Sequence, residues 1–347
     1  MILAAAFATV SCENIVEEIW SSDNEAMLVL NAQLRQDETS HRIFVNCSSG
    51  SRSETVEDAE VSVSVNGGAP VKGVPLAYSR EGYGGYVYDY FDGYEVKVAL
   101  SPGDKVDVKA SWKSLSASAS IEVPEACGVI SAVDTAMIFV PAGGEDGHDY
   151  RSRQYSIAVQ DRSGEKNYYM LCFEDIFYKI SPSGQIQGSI ATAGSFDSSA
   201  DHLLNPVETS LMEELLGGGN RYNIFTDESF AGASYTLKVM DETWGAYNDV
   251  WMRFWEDMEE GSYYSLDRVI KVYTLTFDEY VYLKSIIAAN NDLGFMTEPV
   301  IYAENVNGGL GFVTAMTPSS YTIKFPAEPY KGEPPYTAYR YVENIYY

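Results

Sequence analysis

Period-two alternation of apolar and polar residues constrains this chain more than any other feature. After Glu60 the order is Val61, Ser62, Val63, Ser64, Val65, then Asn66-Gly67. Successive side chains of a strand point to opposite faces, so one face here is valine and the other serine. Asn-Gly accepts the positive φ that a two-residue hairpin turn demands, and the strand is predicted to reverse there. Further on, Val106, Val108, Ala110 and Trp112 share one face while Lys105, Asp107, Lys109, Ser111 and Lys113 share the other. Leu115, Ala117, Ala119, Ile121 and Val123 continue with shifted parity, and a turn or bulge near Lys113-Ser114 is expected to absorb the slip. Adding the runs Met27–Leu34, Arg42–Cys47, Tyr83–Tyr90 and Glu95–Leu100 gives the strand number of an immunoglobulin-like β-sandwich. Pro124 has no amide hydrogen for a ladder and closes this region, assigned to residues 25–124.

Residues 128–347 read as a larger mixed β domain with a few short helices, so the predicted fold class is mainly β. Tyr155, Ile157 and Val159 alternate up to the turn Asp161-Arg162-Ser163-Gly164, and Asn167–Phe173 is expected to return as the partner strand. Ser181-Pro182-Ser183-Gly184 marks a second turn. The stretch 209–216 stops at three successive glycines, which predicts a short helix. Thr276-Phe277-Asp278-Glu279 has the form of a capping box and predicts a helix over 277–289. Residues 248–260 place Trp251, Phe254, Trp255 and Met258 on one helical face, but their acidic end opposes the helix dipole.

Composition limits the partners. Asp and Glu number 50 against 23 Lys and Arg, a formal charge of −27 that repels phosphate backbones and anionic headgroups, so no nucleic-acid partner is expected. With 46% hydrophobic and 13% aromatic residues, the chain carries the apolar area that a packed core needs.

The run from Met1 to Val10 is apolar but far short of the ~18–20 residues that span a bilayer. It ends in Thr9-Val10-Ser11-Cys12, small residues before a cysteine, with acidic Glu13, Glu17 and Glu18 beyond. This reads as a bacterial lipoprotein signal over residues 1–12, with the Cys12 thiol as lipidation site, followed by an acidic tether over 13–24. Thr9 stands where such signals usually carry Leu, and the other reading is an apolar strand with a buried cysteine. Cys47, Cys127 and Cys172 are far apart in sequence and form no C-x-x-C, so buried thiols, with at most one disulfide among them, are expected.

Three stretches carry a family resemblance. The segment from Leu275 to Phe312 reads LTFDEYVYLKSIIAANNDLGFMTEPVIYAENVNGGLGF. Lys166-Asn167-Tyr168-Tyr169 follows a turn, and Asn223 to Phe230 contains Phe225-x-Asp227-x-x-Phe230. Together with the cysteine ending a short signal, these resemble the domain-of-unknown-function 4249 (DUF4249) family over essentially the whole chain. The resemblance implies an outer-membrane lipoprotein of the bacterial cell envelope with a sandwich-like N-terminal domain. It further implies an accessory or capture role beside a TonB-dependent receptor in nutrient uptake, and it supplies no catalytic residues to carry over. Physically, the Asn307-Gly308-Gly309-Leu310-Gly311 stretch reads as scaffold, with glycine needed to turn tightly beside the preceding strand.

Candidate chemistry is sparse. His41, His148 and His202 are the three histidines, and the spacing in Glu145-Asp146-Gly147-His148-Asp149 matches neither an EF-hand loop nor His-Glu-x-x-His, so neither a metal nor another cofactor is assigned. The sequence has no nucleophile elbow, no P-loop and no dinucleotide fingerprint, which disfavours nucleotide enzymes and α/β-hydrolases. Acidic pairs such as Glu213-Glu214 and Glu259-Glu260 leave open a hydrolase using two carboxylates on a glycan, and the Tyr-rich strands a structural adhesin subunit. Aromatic rings crowd one segment: Trp244, Tyr247, Trp251, Trp255, Tyr263 and Tyr264. Of these, Trp244, Trp251, Trp255, Tyr263 and Tyr264 are the candidate binding residues for a glycan or peptide, because flat rings with a polar edge bind at low entropy cost. Packing within a sheet is the competing explanation for the same rings.

Overall fold

The computed structural model describes residues 26–49, 52–81, 87–140, 150–162, 164–205, 220–241, 254–290, 304–332 and 342–344. The expected signal over 1–12 with Cys12, the tether over 13–24, the helix near 209–216, His148, Trp244 and Trp251 lie outside these residues. The chain forms two units: one of residues up to Val123 together with Glu304–Ala315, the other of Pro124–Ala303 and Met316 onward. The stretch 304–315, which the sequence pattern assigns to the second region, therefore belongs to the first.

The first unit contains β1 (Met27–Arg35), β2 (Ser40–Ser49), β3 (Arg52–Thr55), β4 (Glu60–Val65), β5 (Val71–Lys72), β6 (Val74–Glu81), β7 (Val87–Lys97), β8 (Lys105–Trp112) and β9 (Leu115–Glu122). All pair antiparallel, in the orders β1-β2-β7-β6 and β5-β4-β8-β9, with β3 added to β2. With β3 set aside, these orders are those of the immunoglobulin sandwich, A-B-E-D facing C′-C-F-G. The alternation explains the core: Leu28, Leu30, Ile43, Val45 and Val96 from one sheet meet Val61, Val63, Val106, Val108 and Ala119 from the other. Asn66 and Gly67 both take positive φ, and the Gly68 amide donates to the Val65 carbonyl at 2.9 Å, closing the predicted turn. The slip between β8 and β9 is a two-residue turn, with Trp112 paired to Leu115 and Lys113 at φ 52°.

Glu304–Ala315 is a strap laid along this sandwich. Asn307 exchanges backbone hydrogen bonds with Ser118 of β9 at 2.7 and 3.0 Å, and Leu310 with Leu28 and Leu30 of β1, both at 2.8 Å. The strap thus ties β1 of one sheet to β9, an outer strand of the other. A Cβ on Gly309 would stand 2.5 Å from the Leu28 carbonyl oxygen, and one on Gly311 2.3 Å from that of Leu30. The glycines make room for the backbone of β1 and β9; the strand expected ahead of them, up to residue 303, lies outside the described residues.

The second unit contains β10 (Gly128–Val140), β11 (Tyr150–Asp161), β12 (Tyr168–Ile180), β13 (Ile186–Gly194), β14 (Phe196–Asp197), β15 (Ile224–Thr226), β16 (Ser234–Asp241), β17 (Tyr263–Leu275), α1 (Phe277–Asn290), β18 (Val313–Lys324, its first three residues in the first unit), β19 (Glu328–Pro329) and β20 (Val342–Asn344). One sheet has the order β13-β12-β17-β18, the other β10-β11-β16-β14. Between them lie Tyr155, Ile157, Val159, Leu237 and Val239 from the second sheet and Leu171, Phe173, Ile270 and Val272 from the first. The β12–β13 hairpin forms at Ser181–Gly184 as expected, with Gly184 at φ 84°. The expected β11–β12 hairpin does not form. After Asp161 the chain crosses from one sheet to the other, because Val159 and Leu171 both need the apolar layer between the sheets. Helix α1 starts where the capping box places it: the Glu279 amide donates to Thr276 Oγ1 at 3.2 Å, and Leu283 packs with Met170, Tyr273 and Leu275. Of the segment 248–260, only 254–260 lie within the described residues: Phe254 and Trp255 are helical and the backbone turns at Glu256-Asp257, as an acidic helix end disfavours continuation.

Candidate functional site

The aromatic segment does not form a binding platform at Trp255 and Tyr264. Trp255 is 1% exposed and Tyr264 6% exposed. The indole stacks on Tyr330 with centroids 6.4 Å apart and meets Phe177, Phe254 and Tyr264 edge-on at 6.1, 4.8 and 6.0 Å. Tyr264 Oη donates to Glu328 Oε2 at 3.0 Å, which ties β17 to β19. These rings pack a small core, and a face enclosed by protein cannot stack on a ligand. Tyr263 differs. Adjacent in β17 and therefore of opposite parity, it is 41% exposed.

A buried charged cluster lies between the two sheets of the second unit. Arg268 and Asp175 are cross-strand partners on β17 and β12. The guanidinium holds the carboxylate in a fork, Nε to Oδ1 and Nη2 to Oδ2, both at 2.7 Å. Its Nη1 donates to Tyr155 Oη at 2.5 Å and to Asp241 Oδ1, and Tyr155 Oη donates to that same oxygen at 3.0 Å. Burial pushes the Asp241 carboxyl up, against the opposing pull of Arg268, and it pushes the Tyr155 hydroxyl up as well. Burial also works against the Arg268 charge, but the Asp175 hydrogen bonds and charge outweigh it and hold the guanidinium well above its ordinary value. Chemically the cluster joins the sheets: both carboxylates are hydrogen-bonded to Arg268. The strand pattern carried a signal for it. Arg268 is in phase with Tyr264, Leu266, Ile270 and Val272, and Asp175 with Leu171, Phe173 and Phe177, so both charges point inward by parity.

Accessible polar chemistry collects on the outer face of β5-β4-β8-β9. The cross-strand row Lys72, Ser62, Lys109, Ser118 runs over all four strands, with Glu60, Ser111 and Ser116 forming the row beside it. Short serines between longer lysines and a glutamate leave a shallow groove of about 610 Å3. A second groove of about 570 Å3, bordered by Asn66, Lys105, Asp107 and Glu122, lies on the same face. The alternation sets Ser62 opposite Val61 and Val63, and Lys105, Asp107 and Lys109 opposite Val106 and Val108, but carries no signal for a groove.

Two of the stretches that carry the family resemblance, Lys166–Tyr169 and Asn223–Phe230, meet at one junction. Asp227, 1% exposed, accepts from the Asn167 amide at 3.0 Å and from Asn167 Nδ2 at 3.1 Å. Asp161 accepts from Tyr169 Oη, from Asn167 Nδ2 at 3.2 Å and from the Gly232 amide at 2.6 Å. Burial, then Asp161, pushes the Tyr169 hydroxyl up, so it remains a donor. Phe225 and Phe230 lie buried beneath, Phe225 5.3 Å from the Tyr169 ring. A family model described as "Domain of unknown function (DUF4249)" matches residues 14–322. The chain belongs to that family. Its DUF4249 motifs are thus a scaffold here: Asn167 and Asp227 fix the crossing between sheets, and the strap glycines close the sandwich. No curated protein matches the chain. Among solved structures, "Biofilm associated protein - B domain" is similar at 7% identity over 85% of each chain, with a TM-score of 0.15, too low to place the DUF4249 chain in that fold. Among the described residues no group of His, Cys, Asp or Glu is arranged to hold a metal ion, and no helix is long and apolar enough to cross a membrane.

Proposed function

We infer that this protein is a cell-envelope lipoprotein, acylated at Cys12 and held at the outer membrane, that works by binding rather than by bond-making. The reading adds an accessory or capture role in nutrient uptake beside a TonB-dependent receptor, with a glycan or peptide as ligand. The observation that carries the binding half is the division of polar groups. Interior carboxylates at Asp161, Asp175, Asp227 and Asp241 are held in fixed hydrogen bonds, whereas the grooved Ser62–Lys109–Ser118 face offers hydroxyls and ammonium groups to solvent. The observation behind the anchor is the small-residue approach to Cys12 after a short apolar run.

Two experiments test the two halves. Metabolic labelling with a palmitate analogue is expected to mark the wild type and not Cys12→Ser; equal incorporation removes the anchor. Screening the purified protein against glycan and peptide arrays is expected to give retention that Lys109→Glu weakens, with no turnover. Turnover abolished by one acid-to-amide substitution would replace the binding reading with hydrolysis.

A further inference from the structure

Strand β10 is the outer strand of its sheet, bonded to β11 on one side; among the described residues no strand pairs with its other side. An open edge presents a row of unpaired N–H and C=O groups, and proteins usually protect one with lysine, proline, a bulge or shortness. This edge has little such protection. It is 13 residues long, has no Lys, Arg or Pro, and carries a single charge, Asp134. Its register shift lies near the start, between Ile130 and Ala132, where the Ile130 amide is already bonded to Ser319 Oγ at 2.9 Å. Beyond that point Thr135 and Ala136 are exposed, Met137 is 47% and Phe139 52% exposed. An apolar edge of this kind calls for a covering strand.

The sequence of β10 fits itself. A two-fold axis normal to the sheet keeps each face on its own side, so an antiparallel self-pair must match residues of like parity. With the axis at Ala136, Phe139 faces Val133, Met137 faces Thr135 and Ala136 faces Ala136. Aromatic against β-branched is a favoured cross-strand match. Asp134 falls opposite Ile138, which sets the two carboxylates four residues apart along the strands, ~13 Å, more than a physiological Debye length of ~8 Å. We propose that β10 pairs antiparallel with β10 of a second copy across a two-fold axis at Ala136, joining two sheets into one. This is independent of the acylation and uptake reading. One strand edge and a few apolar side chains make a smaller contact than the ~800 Å2 per partner of a standard interface, and each copy carries a formal charge of −27. The dimer is therefore weak and strengthens with salt.

Sedimentation equilibrium of the full chain, carrying Cys12→Ser to keep it free of acyl groups, is the test. The expected result is a monomer–dimer equilibrium that shifts to dimer as salt is raised. Ala136→Lys or Ala136→Glu places like charges directly opposite at the axis and weakens association about tenfold or more. Mixing the two variants restores a dimer containing one copy of each. Ala136 is exposed, so both variants should keep the wild-type unfolding curve, and that curve is measured alongside. A monomer at every concentration and salt, a dimer that neither substitution weakens, or a mixture that fails to pair overturns the proposal. So does a monomer whose β10 edge instead takes up an extended peptide from another protein.

Discussion

Replacing Arg268 by Met tests the reading of the buried cluster most sharply. The guanidinium is 1% exposed and donates to Asp175 twice, to Asp241 and to Tyr155. Methionine fills much of the volume but leaves two carboxylates in the apolar layer without the guanidinium that hydrogen-bonds them. Hydrogen bonds to charged groups contribute about 1.5–3 kcal/mol each, but they share one desolvated donor and do not add. Removing one partner of a buried ion pair costs about 3–5 kcal/mol, a large share of the ~5–15 kcal/mol that stabilises a typical domain. Urea unfolding followed by circular dichroism is expected to show that loss at neutral pH with little change in slope. The pH dependence separates charge from packing. In the variant, the burial that already pushes the Asp241 carboxyl up is no longer opposed by Arg268; the stability of its protonated form is present at acid pH and lost as pH rises through the folded value. Wild type and variant should therefore converge towards about pH 4. Further substitution of Asp175 and Asp241 by Leu should recover much of the loss, since apolar replacement of a whole buried ion cluster is often neutral. A loss below about 1 kcal/mol, or one constant with pH, would refute the argument that these charges are desolvated.

Three further outcomes are expected. His41 is 2% exposed, with Nε2–H donating to the Val98 carbonyl at 2.9 Å; burial lowers its pKa, so its contribution to stability is present above ~6.5 and is lost as pH falls below that value, and His41→Gln should flatten the urea midpoint between about pH 5 and 7. Gly311→Ala, at φ 112° with a Cβ 2.3 Å from the Leu30 carbonyl oxygen, should destabilise the first unit by at least ~1–3 kcal/mol in thermal unfolding, whereas Gly67→Ala in an open turn should cost less. Trp255→Ala should cost about 3–5 kcal/mol through its cavity, while Tyr263→Ala stays within about 0.5 kcal/mol; a change in ligand binding without loss of stability at Trp255 would contradict its place in the core.

Where a signal is local, the sequence alone determined the outcome. Asn66-Gly67, Ser181–Gly184, the Thr276 cap and the alternation through Val61, Val106 and Ala117 each concern residues that are neighbours along the chain or across one turn, and each gives the element it predicts. Backbone torsion and side-chain parity are set within a few residues, so no distant partner is needed to read them. Tertiary structure alone decided what happens across the sheets. Asp161 directs the chain away from the hairpin that its turn suggests, the glycines of 308–311 answer to β1 and β9 nearly two hundred residues or more upstream, and the alternating pattern of β17 hides a cation whose carboxylates lie on β12 and β16. Even the rings at Trp255 and Tyr263, eight residues apart, have opposite fates, core and solvent, because burial depends on what the opposing elements bring and not on the ring.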